Sequence, residues 1–426
     1  MAEMRFHSVV VAYTVWLVAL FGVYFVLHGV SAESSLQVVL MAGAIPVGLQ
    51  LLLLGIDWRG LVAPVRMWLA LLLIILVSYL ANVTDPQTAP RPVAGLGIPA
   101  SWVPIVYTLN VVFILGIGTA IAGCPDRRLL RSIASLFCVL FAPFLLYVDV
   151  AGERTWGNRL NANDIESNMW GLMGLTLCLT AFARQMGPVA ITGFAIGAET
   201  ILAASSREHL VAVAVVLLIV VALNFRTINR PRLFVLLGAS CSILLVVALF
   251  LPYVSEAIGY VGSDVFLLND PLRGVDSGFT GRSDIWAETG GLWLKHPLLG
   301  IGFRQHEQFL AGTPAHNAYL AMLADTGLLG FVWFVALLIA SLLASLGIRD
   351  QRTRRLVTTF VAANIVIGFF DRRTINGGNP YSLLFIMCCS VALADQSLRR
   401  VARALQAPFD VARGARSRTE PLLPAR

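Results

Sequence analysis

With 426 residues, 58% of them hydrophobic and only 13% charged, the chain has too little charge for a soluble globular protein. Its net charge of +7 rests on 31 basic residues, all arginine except Lys295, and fits basic cytoplasmic loops better than a nucleic-acid surface. The six cysteines lack metal-ligand spacing and read as small buried hydrophobes, not a disulfide framework.

Apolar runs of about 18–22 residues, long enough to cross a bilayer core, recur along the whole chain. They fall near residues 8–30, 36–56, 65–82, 101–123, 132–150, 164–183, 187–205, 209–225, 233–254, 316–346, 356–370 and 380–397. The pattern predicts an all-α polytopic membrane protein of about 12 transmembrane helices. Residues 1–397 form one membrane domain, and 398–426 a basic, partly disordered cytoplasmic tail. The first run is too long for a signal-peptide core and reads as an uncleaved span.

Most of the basic residues fall on one side if the N-terminus is cytoplasmic. Arg59 and Arg66, Arg127, Arg128 and Arg131, Arg184, the Arg226–Arg232 group and the Arg349–Arg355 group all then lie inside. Both termini are therefore expected in the cytoplasm, with the long polar stretch 255–315 and its short interfacial helices in the periplasm.

The outer connections carry the polar weight. Residues 83–100 are rich in proline and glycine, and 151–163 bring Arg154, Trp156 and Arg159. Gly193 and Gly197 form a GxxxG that reads as close packing within one chain. Ser205–His209 make a tight turn between two spans, and 371–379 add Asp371, Arg372 and Arg373. In the long loop, Ser283 can cap a helix running through Trp286 to Trp293, which His296-Pro297 ends before Gly300 and Gly302 turn the chain. Thr313-Pro314 then leads into the tenth span, placing His316 in its first turn.

Charged groups at outer helix ends are costly unless they face water or a polar cavity, which marks them as functional candidates. Arg207 reads either as an anion ligand, its guanidinium matching phosphate oxygens, or as an interfacial residue paired with Glu208. Arg282, just before a helix start, reads as a second such anion ligand or as a plain loop charge. Arg372 and Arg373 are adjacent and cannot easily point the same way. His316 is either an interfacial hydrogen-bonded group or a general base, the neutral form being favoured by a helix N-terminus and nearby arginines. His296 and His306 read as structural. No HExxH or outer-loop DxD points to a metal, and no P-loop or GxGxxG to a nucleotide, so no cofactor is expected.

Several motifs together resemble the O-antigen ligase family, which also embraces the Wzy-type polysaccharide polymerases. They are Gly281-Arg282-x3-Trp286, His296-Pro297-Leu298-Leu299-Gly300-Ile301-Gly302, Ala315-His316-Asn317-Ala318-Tyr319-Leu320 and Asp325-Thr326-Gly327-Leu328-Leu329-Gly330. Gly157-Asn158-Arg159-Leu160-Asn161 and Ser205-Ser206-Arg207 fit as well, whereas Ala162 departs from the Asn-Pro-Asn run such proteins often show. The resemblance implies a metal-independent, inverting membrane glycosyltransferase of the C-type (GT-C) architecture in the bacterial inner membrane. Its donor would be a glycan on undecaprenyl pyrophosphate. In a ligase the acceptor is a sugar hydroxyl of lipid A-core; in a polymerase it is another lipid-linked repeat. Arg207 and Arg282 match the arginines that hold the pyrophosphate and His316 the essential histidine, with Asn317, Arg159, Arg304, Arg372 and Arg373 as further substrate contacts. A transporter or flippase is the rival outside this class, but the polar weight sits on one outer face, as in an interfacial enzyme.

Overall fold

The computed structural model describes residues 2–26, 39–83, 103–151, 153–155, 159–161, 167–183, 188–204, 206–224, 282–310, 315–372 and 380–418. They form helices α1 (Ala2–Val26), α2 (Ala44–Leu53), α3 (Val62–Val83), α4 (Val103–Gly123), α5 (Arg128–Ala151), α6 (Ser167–Ala183), α7 (Pro188–Ala203) and α8 (Arg207–Asn224). After the long connection come α9 (Arg282–Lys295), α10 (His306–Phe309), α11 (Ala318–Leu346), α12 (Gln351–Ile367) and α13 (Pro380–Arg418).

Six helices among the described residues are long and apolar enough to cross a membrane: those at Glu3–Leu20, Val62–Val83, Ile105–Gly123, Arg128–Tyr147, Ala318–Leu346 and Tyr381–Ala402. Three shorter apolar helices, Val39–Leu53, Met169–Ala181 and Pro188–Ala203, occupy further expected spans. The expected span 233–254 lies outside the described residues. The span expected at 356–370 begins earlier, at Gln351, because Arg352, Arg354 and Arg355 continue the helical turn with polar side chains.

Lipid-facing and core-facing residues separate by helical spacing. On α3, Leu69, Leu73, Leu76 and Leu80 are exposed, while Trp68, Leu71, Ile75 and Ser78 are buried. On α11 the exposed stripe is Val332, Ile339, Leu343 and Leu346, against buried Phe334, Leu337, Leu338 and Ser341. Exposed apolar stripes on this scale suit hydrocarbon, not water. Among the described residues this membrane protein is all-helical apart from one small element, and its core runs between α4, α6, α12 and α13.

Several polar side chains in the interior are satisfied by other helices, as a membrane interior favours. Gln50 accepts from Tyr13 Oη at 2.8 Å and donates to the Ala120 carbonyl at 2.6 Å, joining α1, α2 and α4. Trp68 Nε1 donates to Ser390 Oγ at 2.9 Å, joining α3 to α13. The GxxxG expectation is met inside the chain: a Cβ on Gly197 would stand 2.6 Å from the Gly174 carbonyl oxygen, so α6 and α7 touch backbone to backbone. Cys124, Cys138, Cys178, Cys388 and Cys389 are free, buried thiols.

Three local expectations are corrected. Residues 153–155 and 159–161, expected to be a loop of an all-α chain, pair as an antiparallel hairpin of β1 (Glu153–Thr155) and β2 (Arg159–Asn161), with Arg154 opposite Leu160. Too polar to extend α5, this stretch satisfies its backbone by strand pairing. Ser283 lies inside α9, whose helical turns already include Arg282, and so is not its cap. The segment after residue 397, expected to be partly disordered, continues α13 to Arg418. Arg399 fixes its start by reaching the Ala344 carbonyl at 3.0 Å and Asp395 at 3.2 Å.

Charge sorts by the ends of the bundle. At one end, Arg131 meets Asp350 at 3.4 Å and Ser397 donates to the Arg59 carbonyl at 3.2 Å, which gathers the arginine-rich short loops. The ends of α3 and α12 and the starts of α8, α9 and α11 meet at the other.

Candidate functional site

The second end is organised by a break in α11. Gly327 has φ 65° and ψ −169°, which interrupts the helix and removes the bonds that Leu328 N and Leu329 N would make to Ala324 O and Asp325 O. The segment His296–Gly302 fills that gap. Leu328 N donates to Pro297 O at 2.8 Å and Leu329 N to Leu298 O at 3.3 Å, while Ala324 O and Asp325 O accept from Ile301 N and Gly302 N at 2.9 Å. Two lost helical bonds thus become four bonds between segments. From α3, Ser78 Oγ reaches Leu299 O at 2.6 Å and Asp325 O at 2.9 Å, and Asn82 Nδ2 reaches Gly300 O at 3.0 Å. Irregular backbone at this depth persists because every freed group has a partner.

Beyond this seam lies a charged cluster. The Asp325 carboxyl accepts from Arg304 N at 2.9 Å, His306 N at 3.1 Å and His306 Nδ1 at 2.8 Å. With Nδ1 donating, Nε2 of the buried His306 has no protein partner among the described residues, and His306 lines a small cavity together with Arg304, Arg372, Ala318 and Met322. Arg304 pairs with Glu307 at 2.8 Å and lies 4.5 Å over the Tyr107 ring, and Arg372 pairs with the same Glu307. Two guanidiniums therefore share one carboxylate.

Three helix starts adjoin the cluster. Arg282, opening α9, stands 3.9 Å from Glu208 in the first turn of α8, beside Arg207. One turn into α9, Trp286 Nε1 donates to the Ala315 carbonyl at 2.8 Å, which sets α9 against the residue before His316. Asn317 caps α11, accepting from Tyr319 N and Leu320 N at 3.0 Å, and Ala318 N donates to Gly368 O at 2.7 Å at the end of α12. His316 precedes that cap with φ 47°, so it is not in the first helical turn as expected. The Asn317 side chain claims the cap, leaving His316 on the left-handed residue before it. Helix starts at one place bring positive dipole ends together, which suits an anion, although the first N–H groups of α11 are already taken by Gly368 O and Asn317 Oδ1.

Arg282, Glu208, Ala315 and the cap residue Asn317 are thus brought together. Arg304 and Arg372 form the adjacent cluster, joined to α11 through Ala318 and Asp325. The backbone of Arg207 opens α8 and that of Arg159 lies in β2, but their side chains lie outside the described residues, as does Arg373. Glu208 contacts Arg282 at 3.9 Å and accepts from Ser206 Oγ at 3.3 Å, while a pairing of Glu208 with the Arg207 side chain lies outside the described residues. Next to these helix starts, Ser206 Oγ lies 2.7 Å from His209 Nδ1, both buried against Gly171 of α6.

Residues 192–335 match the family model described as O-antigen ligase. The match supports the superfamily of O-antigen ligases and Wzy-type polymerases, and with it a membrane glycosyltransferase-like protein acting on lipid-linked glycans. No curated protein matches the chain. The O-antigen ligase match takes in Arg207, Arg282, Arg304, His316 and the whole Gly300–Gly327 seam; Arg159, Arg372 and Arg373 fall outside it.

Two residues of the site, Asp325 and Glu307, were given no role in the sequence, and His306 was read as structural. Asp325 carried a signal, being a carboxylate inside an apolar helix, where an ionisable group demands a partner. Replacing it with alanine strands three donors at once. Asp325→Ala is expected to lower stability by about 3 kcal/mol, and Asp325→Asn, which keeps one acceptor oxygen, by less. Thermal unfolding of the purified protein in detergent measures the difference.

Proposed function

We propose that the chain is an O-antigen ligase, moving a glycan from undecaprenyl pyrophosphate to a sugar hydroxyl of lipid A-core on the periplasmic face of the inner membrane. The observation that carries this reading is the meeting of the starts of α8, α9 and α11, with Arg207, Arg282 and His316, at one end of the bundle and inside the matched segment. The gathering of the arginine-rich loops at the opposite end favours cytoplasmic termini and a periplasmic site, in a GT-C-type bundle of about 12 spans.

In this reading the acceptor hydroxyl gives its proton to His316 as its oxygen attacks the anomeric carbon. The bond to the pyrophosphate oxygen breaks on the opposite face, which inverts the configuration. Undecaprenyl pyrophosphate leaves with the electron pair. Arg207 and Arg282 offset the negative charge that develops on it, a role metals fill elsewhere. Arg304 and Arg372, held by Glu307, set the depth to which the glycan enters, with Asn317, Arg159 and Arg373 as further contacts.

The polymerase reading shares every one of these residues and differs only in the acceptor. Reconstituted protein given the lipid-linked glycan is expected to transfer it only when lipid A-core is supplied. Longer lipid-linked chains formed without that acceptor would establish a polymerase, and no product in either case would refute both.

A further inference from the structure

We propose that the arginine-rich end of the bundle, opposite the candidate active site, holds an anionic phospholipid in a crevice between α1, α5, α6 and α12. The crevice has a volume of about 540 Å³. Arg128, Arg131 and Arg352 line its mouth, with Ser132 just inside and Leu136 and Val139 forming an apolar wall. This inference does not depend on the proposed function.

The charge at the mouth is in excess. Arg128 pairs with Asp126 at 2.7 Å and Arg131 with Asp350 at 3.4 Å, but Arg352 has no carboxylate partner among the described residues. Arg127 and Arg349 stand in the two short loops, where Asp126 and Asp350 are the acidic residues, and Arg354 and Arg355 follow in the first turns of α12. The Arg128 hydrogen bond to Asp126 holds that carboxyl below its usual range, so the carboxylate stays ionised and does not free Arg128 entirely. A guanidinium cluster of this kind presents paired donors to phosphate oxygens.

The depth of the crevice decides between a free phosphate and a lipid. Val139 lies two turns of α5 below Arg131, about 12 Å along the helix axis. It is 53% exposed and faces the same apolar surroundings as Leu146 and Val150. A soluble phosphate would use the arginines and leave this wall empty. A phospholipid places its phosphate at the arginines, its ester groups near Ser132 and an acyl chain along Leu136 and Val139. Basic pockets between spanning helices take anionic headgroups in this way.

The test uses the delipidated full-length protein in detergent, titrated with phosphatidylglycerol, phosphatidylcholine or inorganic phosphate and read by native mass spectrometry, with thermal unfolding as a folding control. Phosphatidylglycerol is expected to bind at least about tenfold more tightly than phosphatidylcholine. Each arginine near an anionic headgroup contributes about fivefold, so R128Q/R352Q should weaken phosphatidylglycerol binding about 25-fold. R128K/R352K should retain most of it, and Arg59→Gln, exposed at the same end outside the crevice, should leave it unchanged. Val139→Trp should block the acyl slot and weaken lipid binding about tenfold. Equal binding of the two lipids, no loss in R128Q/R352Q, or an equal loss in Arg59→Gln would overturn the proposal. Inorganic phosphate that binds to the arginines regardless of Val139→Trp would replace the lipid by a free anion and also overturn it.

Discussion

Gly327→Ala is expected to unfold the end of the bundle that holds the candidate site, lowering stability by about 3 kcal/mol or more. Two costs add. The residue holds φ 65°, which an L side chain adopts at about 1–2 kcal/mol. Its new Cβ would also press on the backbone carbon and oxygen of Leu298, well inside contact distance, and backbone cannot rotate away as a side chain could. Relief would require the Pro297–Leu328 and Leu298–Leu329 bonds to open, leaving unpaired polar groups in a membrane interior. Gly300→Ala presses on Asp325 from the other side of the same seam, at φ 67°, and is expected to match it. Thermal unfolding followed by size-exclusion chromatography measures both. A loss below about 1 kcal/mol in each would mean that the break in α11 is not held by this seam.

The sequence made the class of the chain and the order of its elements legible because hydrocarbon imposes a length and an apolarity that composition reports directly. The glycines of the seam were visible only as a turn, at Gly300 and Gly302, and as part of a motif, at Gly327. Neither pattern says that two segments far apart along the chain, as Pro297 and Leu328 are, exchange backbone hydrogen bonds. Apolar runs also hide breaks. Asp325-Thr326-Gly327 sits inside a run whose hydropathy remains that of one helix, so α11 read as continuous. His306 looked structural and is buried, yet its partner could not be named, because pairing across a fold follows from packing and not from spacing. His316 was placed one turn too late since Thr313-Pro314 marked the helix start, whereas the cap is Asn317, whose side chain bonds the first free N–H groups. Polar stretches between spans are the hardest to read, as they have no periodicity tied to the bilayer; the β1–β2 hairpin is the example.

The position of His316 decides how its role is best tested. In the proposed function, removing a general base should slow transfer by about 10²- to 10⁴-fold. Alanine is a poor probe here. His316 has φ 47°, so His316→Ala adds a backbone cost of about 1–2 kcal/mol and could shift Asn317 and the start of α11 for a reason unrelated to proton transfer. Asparagine tolerates the left-handed region and has no basic nitrogen. His316→Asn is therefore expected to lose at least about a hundredfold in transfer rate with its unfolding temperature unchanged. Arg282→Ala should lose a comparable factor through the pyrophosphate, about 10²- to 10³-fold, again with little loss of stability, since its 3.9 Å contact with Glu208 is too long for a hydrogen bond. Arg282→Lys keeps the charge but not the paired donors, and should recover only part of the rate. Transfer by His316→Asn at the wild-type rate would remove the base from the mechanism and leave the arginines as a binding site alone. Were His316→Ala to fail while His316→Asn worked, the histidine would be a backbone device that sets the cap of α11.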